Sequence, residues 1–353
     1  MSFFESPAFE GHEALHAFHD EAAGLKCFIA IHSTARGPAT GGCRMWPYAN
    51  EQAAIDDALK LSRAMSYKNA VADLDLGGGK AVIIGESRGG KTPALFEAFG
   101  ASVDTLGGSY WGAEDVGVTP DDLAHAATRT RYMAGLNGTP ASSGDPSPVT
   151  AEGVKRGIEV AVQRVLDRSL SGVTIAIQGV GHVGAYLAEK LAAAGAKLYV
   201  TDLHEATARS VAARVGAEVV APHAIYDTDA QVFAPCALGG AISRETLPRL
   251  KARIVAGAAN NQLADAETGQ AIFDRGMVYA PDFVLNSGGI INIAAEIRAL
   301  AEGGAYDPAW VETKLARMTQ TLDEVLVRST RERRPTDLIA NEIARERIAA
   351  ARG

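Results

Sequence analysis

Apolar and polar positions follow two regimes along this chain. Near its start, residues 14–19 and 26–32 (Lys-Cys-Phe-Ile-Ala-Ile-His) are apolar-rich runs separated by Gly24, which predicts a strand hairpin. Ala54, Ile55, Ala58, Leu61, Ser62 and Met65 recur at helical spacing, and Asn50 stands at an N-cap, so a helix is expected from about 51 to 69. Leu74–Ile84, with Gly77, Gly78 and Gly79 inside it, reads as a glycine turn feeding a buried strand. From residue 172 the regime becomes a regular strand–helix alternation. Apolar strands are predicted at 173–178, 197–201, 217–220, 232–235, 254–257 and 278–280, and six strands with helical connections imply a parallel doubly wound sheet. The tail after Pro335 opens with a capping signal at Thr336 and predicts a terminal helix.

Between the regimes, residues 137–148 are rich in Gly, Pro and Ser and lack periodicity, which marks a domain boundary or hinge. A helix is expected to begin at about Thr150. A length of 353 residues fits two domains at roughly 100–200 residues each. The expected division is 1–136 with 330–353 as one domain and 137–329 as the other, the tail rejoining the first.

Composition narrows the class. The formal net charge is −8 with no basic block, so nucleic acid is not an expected partner. No apolar run reaches about 18 residues, so no membrane partner or span is expected. The stretch Met1–Pro7 lacks the features of a signal peptide, which points to the cytoplasm. Cys27, Cys43 and Cys236 have no CxxC spacing and read as reduced thiols, with no metal site. The 37 glycines cluster between apolar runs, a pattern that suits close approach of backbone to ligand.

The clearest chemical motif is Gly179-Val-Gly181-His-Val183-Gly184, which follows a predicted strand and opens a predicted helix. Gly179 permits the turn, Gly181 lets backbone approach a pyrophosphate at the helix N-terminus, and Gly184 lets helix and strand pack closely. A second strand ends in Asp202, spaced to accept hydrogen bonds from ribose hydroxyls. A carboxylate there repels a 2′-phosphate, so NAD is expected over NADP.

Three literal matches are set aside. His12-Glu-Ala-Leu-His16 spells HExxH, but the segment runs into the predicted hairpin. In a strand, positions four apart are about 13 Å apart and cannot share one metal. Gly85–Thr92 spells a P-loop with Lys91, yet no partner strand ends in a suitable Asp, and it is read as a solvated turn. His182 occupies a variable position of the glycine motif and reads as a surface or packing residue.

Three residues of the first domain stand in unusual settings. Lys80 directly follows the three glycines at the start of a buried strand, where desolvation lowers a lysine's pKa toward that of a useful base. Lys68 lies on the helix after Met65, and Asp115 is bracketed by Gly112 and Gly117. Taken singly, each also has a structural reading: a snorkelling lysine, a strand flank, a turn cap.

Taken together they carry a resemblance. Gly37-Pro-Ala-Thr-Gly-Gly-Cys-Arg-Met45, Leu61-Ser-Arg-Ala-Met-Ser-Tyr-Lys68, Gly77-Gly-Gly-Lys-Ala-Val-Ile83 and Ala113-Glu-Asp-Val-Gly117 are followed by Pro146-Ser-Pro-Val-Thr150, the 179–184 loop and Ala234-Pro-Cys-Ala-Leu-Gly239. Ala256-Gly-Ala-Ala-Asn-Asn261 and Pro281-Asp-Phe-Val-Leu-Asn-Ser-Gly-Gly289 complete the series. In order and spacing, over nearly the whole chain, they resemble the leucine/phenylalanine/valine branch of the glutamate dehydrogenase superfamily.

The resemblance implies an α/β fold: an N-terminal substrate-binding and oligomerisation domain, a Rossmann-type doubly wound NAD-binding domain, and a cleft between them. It implies reversible oxidative deamination of an L-amino acid to a 2-oxo acid and ammonia with NAD reduction. Lys68, helped by backbone at Gly41 and Gly42, resembles the residue pairing with the substrate carboxylate. Lys80 resembles the catalytic lysine that activates water, and Asp115 the proton carrier for the amino group. Thr40, Ala113, Ile290 and Ile293 match the side-chain pocket. Thr150 and Asn260 match positions near nicotinamide and substrate. Val183, Cys236 and Ala237 match the cofactor site. Three departures stand out: Thr40 replaces a usual apolar residue, Trp111 a smaller one, and Ser243 a common asparagine. An apolar aliphatic or aromatic substrate is therefore expected, and a homo-oligomer with the edge strand near 14–32 as one contact. A dehydrogenase of another small acid, a P-loop hydrolase centred on Lys91, and a catalytically dead NAD-binding regulator remain alternatives.

Overall fold

The computed structural model describes residues 3–352, and the chain divides into two compact units. One takes the chain up to Gly144, Ile290–Glu312 and the end from Ala344; the other takes Asp145–Gly289 and Thr313–Ile343.

The first unit is built on a five-stranded sheet of β1 (Ala14–Asp20), β2 (Leu25–Ser33), β3 (Ala39–Trp46), β4 (Gly77–Ile84) and β5 (Tyr110–Glu114), in the order β1-β2-β4-β3-β5. The predicted hairpin forms, with Asp20 opposite Leu25 and Gly24 at φ +70° in its turn. β2 and β4 are antiparallel, whereas β3 runs parallel to both β4 and β5. Helices α1 (Glu51–Val71), α2 (Pro93–Asp104) and α3 (Pro120–Ala127) complete the main layers. Asn50 caps α1 by accepting from the Ala53 N–H at 2.9 Å.

Side chains alternate across a sheet, so each strand has two destinations. Ala39, Cys43, Met45, Ala81, Ile83 and Tyr110 enter a core with Phe96, Phe99 and Val103 of α2 and Leu123 of α3. Ala30 and Val82 face the other way, against Ala54, Ala58 and Leu59 of α1. By the same parity, Thr40, Gly42, Arg44, Gly78, Lys80, Trp111 and Ala113 lie on the α1 side of the sheet.

The glycine run differs from its expected role as a turn. Gly77, Gly78 and Gly79 are all inside β4. A Cβ on Gly78 would run into the Ser66 backbone nitrogen, and the Asn69 side-chain amide donates to the Gly77 carbonyl at 2.6 Å. Gly78 lets α1 lie against the strand, whereas a Cβ on Gly77 would run into the Ser33 carbonyl and one on Gly79 into the Tyr110 ring.

Both literal metal and phosphate motifs lose their geometry. His16 lies in β1 and His12 precedes it, with no helix to align them. Gly85–Thr92 connects β4 to α2, and Thr92 caps that helix by accepting from the Leu95 N–H at 3.1 Å. Lys91 pairs with Asp122 at 2.5 Å. Among the described residues, no His/Cys/Asp/Glu group could hold a metal, and no helix is long and apolar enough to cross a membrane.

The second unit opens with α4 (Ser147–Leu166), within three residues of the expected start. Its sheet contains β6 (Thr174–Gln178), β7 (Lys197–Thr201), β8 (Glu218–Val219), β9 (Val232–Pro235), β10 (Ile254–Val255) and β11 (Val278–Tyr279). Every pair is parallel and the order is β11-β10-β9-β6-β7-β8. Helices α5 (His182–Ala193), α6 (Glu205–Val215), α7 (Ala266–Asp274) and α8 (Asp282–Leu285) intervene, and α9 (Gly288–Glu302), α10 (Pro308–Glu332) and α11 (Thr336–Ala350) close the chain. The sheet core includes Ala176, Phe233, Val255 and Tyr279. All six strands fall within the predicted windows, several of them shortened.

The division differs from the expected 1–136/330–353 and 137–329. Residues 290–312 join the first unit, because the Glu296 carboxylate accepts from the Gly135 and Ser143 N–H groups, each at 2.7 Å. The tail itself splits. The Thr336 hydroxyl donates to the Tyr279 carbonyl at 2.6 Å in the second unit, whereas Arg347 donates to the Ala70 and Val71 carbonyls at 3.1 Å in the first.

Candidate active site

In the first unit, β4 carries Lys80 inward until it is 5 % exposed. Its ammonium contacts Asp115 Oδ2 at 2.5 Å, and Arg44 Nε donates to the same oxygen at 2.9 Å. Asp115 sits just past β5, where Gly42 leaves room: a Cβ on Gly42 would lie 2.7 Å from the Asp115 Cβ. Arg44 also donates to Asp57 of α1 at 3.0 Å, and the Tyr48 hydroxyl donates to the same carboxylate at 2.5 Å. The result is an alternating chain of charges: Lys80, Asp115, Arg44, Asp57.

Burial pushes the Lys80 ammonium below its ordinary pKa; Asp115 opposes this, and the Arg44 charge adds to it. Burial raises the Asp115 carboxyl, but Lys80 and Arg44 outweigh it and hold the group below the usual carboxylate range. A buried lysine with a depressed pKa beside an ionised carboxylate is a poised base and proton carrier.

The other predicted residues of this unit are placed as follows. Lys68 is half-buried in the last turn of α1, on the helix that covers this sheet face. Gly41 and Gly42 are buried on β3, and the Tyr110 hydroxyl donates to the Gly41 carbonyl at 2.7 Å. Ala113 lies opposite Gly42 across the β3–β5 pairing. Thr40 has 0 % exposure. Ile290 and Ile293 are half-buried in α9, and a Cβ on Gly135 would touch Ile293 Cδ1 at 3.7 Å.

In the second unit the glycine motif forms a cradle at the ends of β6, β7 and β9. β6 has β7 on one side and β9 on the other, so this is where the strand order reverses. Gly179 has φ +93°, and a Cβ there would lie 2.7 Å from Ala237 Cβ. A Cβ on Gly184 would run into the Gly179 carbonyl, while one on Gly181 meets nothing within 4 Å. α5 starts at His182 with no side-chain cap, which leaves its first N–H groups for an anion. Val183 is half-buried behind them. Asp202 accepts from the Val180 N–H at 3.0 Å and the His204 N–H at 2.9 Å, which fixes it beside the turn. The Cys236 N–H donates to the Gln178 carbonyl at 2.7 Å, bringing Cys236 and Ala237 against the loop. Burial pushes the Cys236 thiol up to about 12, so it is a packing group and no nucleophile. Thr150 lies in the first turn of α4, and its Oγ1 would be 3.1 Å from a Cβ on Gly289. Asn260 is exposed, and its side-chain carbonyl accepts from Asn286 at 2.8 Å.

Both sites have the parts of an amino-acid oxidoreductase, and comparison with known proteins decides the family. Residues 12–132 match the Glu/Leu/Phe/Val dehydrogenase dimerisation domain, and residues 199–353 match the Glutamate/Leucine/Phenylalanine/Valine dehydrogenase domain. Leucine dehydrogenase of Thermoactinomyces intermedius is 44 % identical over 353 residues, covering 100 % of this chain and 95 % of that protein. Valine dehydrogenase of Streptomyces albus is 43 % identical over 97 % of this chain and 93 % of its own length. The crystal structure of L-tryptophan dehydrogenase from Nostoc punctiforme superposes with a TM-score of 0.87 at 38 % identity, covering 97 % of both chains. The chain belongs to the Glu/Leu/Phe/Val dehydrogenase family. It is an amino-acid dehydrogenase, and the family implies a nicotinamide dinucleotide cofactor. The cradle fits such a group: it has uncapped helix N–H groups, open space over Gly181 and a fixed carboxylate at Asp202.

Three contributors escaped the reading of the sequence. Arg44 was visible only as one letter of a motif, and no local pattern ties it to Asp115, 71 positions away. Glu296 is 2 % exposed and accepts from both ends of the 135–143 segment; the Ser143 hydroxyl also donates to it. Asn286, which holds Asn260, likewise lies inside a motif whose spacing alone does not reveal that contact.

Proposed function

We propose that this protein catalyses the reversible, NAD-dependent oxidative deamination of an apolar L-amino acid to the 2-oxo acid and ammonia. The observation that carries this reading is the ion pair of buried Lys80 with half-buried Asp115, on a sheet face where Gly42 leaves room for Asp115 and Gly78 for the helix bearing Lys68.

Lys68 pairs with the substrate carboxylate, with the Gly41–Gly42 backbone beside it. Asp115 starts ionised and takes a proton from the substrate ammonium, leaving a free amine. A nicotinamide dinucleotide held at the Gly179–Gly184 loop and Asp202 would supply the acceptor for the Cα hydride, whose loss leaves the substrate as an iminium ion. Lys80, whose burial favours its neutral form, takes a proton from water as that water attacks the iminium carbon. The carbinolamine collapses as Asp115 returns its proton to the departing nitrogen. The hydroxyl proton passes to the newly ionised Asp115 as the carbonyl forms beside the Lys80 ammonium, and on product release Asp115 and Lys80 give up their protons, one to the ammonia and one to solvent.

Asp202 supports NAD over NADP, because a carboxyl group fixed by two backbone N–H groups beside the turn favours ribose hydroxyls over a 2′-phosphate. We further place the enzyme in the cytoplasm as a homo-oligomer. Three free cysteines are in keeping with a reducing compartment, and β1 lies at a sheet edge.

A panel of L-amino acids assayed with NAD⁺ and NADP⁺ tests the proposal. Reduction of NAD⁺ by apolar substrates, lost in Lys80→Ala with cofactor binding retained, is expected. Equal rates with NADP⁺ overturn the Asp202 argument, and no turnover with any amino acid leaves the non-catalytic binder.

A further inference from the structure

We infer that the contact between His32 and Ser66 sets the place of Lys68, so that both are positioning residues for the substrate carboxylate. The inference rests on the role given to Lys68 above and deepens it. β2 and β4 change register at His32: Ile31 pairs with Gly79 and Ser33 with Gly78, which leaves His32 as the extra residue of a β-bulge. A bulge re-aims a side chain. Here the imidazole is sent onto α1, where its Nδ1 lies 2.7 Å from the Ser66 hydroxyl. Both residues are buried, at 8 % and 2 % exposure.

The imidazole is braced by two rings. His12 stands 4.9 Å from it at 78°, and Tyr67 6.1 Å from it at 75°. His12 is itself fixed. Its Nε2 lies 2.9 Å from the Leu59 carbonyl, which can only accept, so Nε2 carries the proton. Its Nδ1 accepts from the Glu10 N–H at 3.2 Å, so the ring is neutral and both nitrogens are used.

Ser66 is one of two polar ties that hold the end of α1 to the sheet. The other is Asn69, whose amide donates to the Gly77 carbonyl at 2.6 Å. Gly78 lets the helix come this close, since a Cβ there would run into Ser66. Lys68 lies between the ties, two residues after Ser66 and one before Asn69, in the last turn of α1. Apolar packing is non-directional and lets a helix slide or roll on a sheet, whereas a hydrogen bond has a fixed length and angle. A tie at Asn69 alone leaves rotation about that point; the second tie at Ser66 removes it. The Lys68 Cα is thereby set relative to Gly41, Gly42 and Lys80 on the strands below.

The test removes either side of the contact, in Ser66→Ala and His32→Leu, and keeps the hydroxyl in Ser66→Thr. The ligands are the best apolar substrate of the panel above, its analogue without the amino group and its analogue without the carboxylate. For L-leucine these analogues are 4-methylpentanoate and 3-methylbutylamine. Each removal should raise KM for the amino acid and the inhibition constant of the carboxylate analogue by about threefold to tenfold. kcat, KM for NAD⁺ and the inhibition constant of the amine should stay within about twofold, and Ser66→Thr should match the wild type within that margin. A contact that only stabilises the fold would weaken both analogues alike or neither. Either result in a folded variant overturns the inference, and one folded variant of the two suffices. Lys68→Ala separates the two levels, because it should weaken the carboxylate analogue more than Ser66→Ala does. If it does so while Ser66→Ala has no effect, only the positioning role is lost. If Lys68→Ala leaves the carboxylate analogue unaffected, the carboxylate role of Lys68 falls and the inference with it.

Discussion

Replacing Arg44 by Gln removes one of the two cations that share Asp115 Oδ2. Because Arg44 Nε and Lys80 Nζ sit 2.9 and 2.5 Å from that oxygen, the two charges lie within about 5 Å of each other. Their repulsion is worth about 3 kcal/mol at an effective dielectric of about 20. The Arg44 and Asp115 side chains are 24 % and 23 % exposed, so water reduces the effect to on the order of 1–2 kcal/mol, about one pH unit. The sign follows from the charge removed. Without Arg44, the Lys80 ammonium is less disfavoured and has Asp115 to itself, so its pKa rises. Neutral Lys80 then becomes available only at higher pH. The acidic limb of kcat/KM for amino-acid oxidation, followed by NADH formation, should move up by about one pH unit, and Arg44→Lys should restore most of the wild-type profile. A limb that stays in place or moves down would refute the coupling of Arg44 to the base.

Lys91→Ala should leave amino-acid oxidation unchanged and cost at most about 1 kcal/mol by urea denaturation, since Lys91 only pairs with Asp122 near the surface; abolished turnover would return the P-loop reading. Gly78→Ala should destabilise the first unit by about 1–3 kcal/mol and raise KM for the amino acid, because the new methyl displaces α1 at Ser66 and Lys68 moves with that helix. His32 is held down to about 4 from 6.5 by burial first, then by the charges of His12 and Arg352, with Glu13 opposing. The unfolded chain therefore binds a proton that the folded chain refuses, and stability falls as pH drops from about 6.5 toward 4, by on the order of 3 kcal/mol. His32→Gln should flatten that slope in denaturant midpoints measured across the window; an unchanged slope would assign it to other groups.

The second unit was the more legible of the two. A parallel sheet buried on both faces writes each strand as a short apolar run, so Thr174–Gln178 and Lys197–Thr201 could be found by local pattern. The glycine loop was equally readable, because its spacing, Gly179 to Gly184, is a requirement on consecutive backbone atoms. The first unit was harder. Gly77–Gly79 suggest a turn because three glycines usually break a strand, and only their distant neighbours explain them inside β4: the Ser33 carbonyl against Gly77, Ser66 against Gly78 and the Tyr110 ring against Gly79. The capping signal after Pro335 predicts one returning helix, yet α11 is divided between both units, and its attachments, Thr336 to Tyr279 and Arg347 to Ala70, involve partners more than 50 positions away.

By itself the sequence determined two domains, a dinucleotide cradle with a carboxylate at Asp202, a buried lysine at position 80 and, through its motifs, the family. These follow from local periodicity and from backbone demands within a few residues. The tertiary structure decided which groups act on one another. It set Arg44 beside Asp115, bound Glu296 across the 135–143 segment, and buried Thr40 opposite Trp111. Such partners depend on strand order and on which face each side chain takes, and a chain read one residue at a time carries neither.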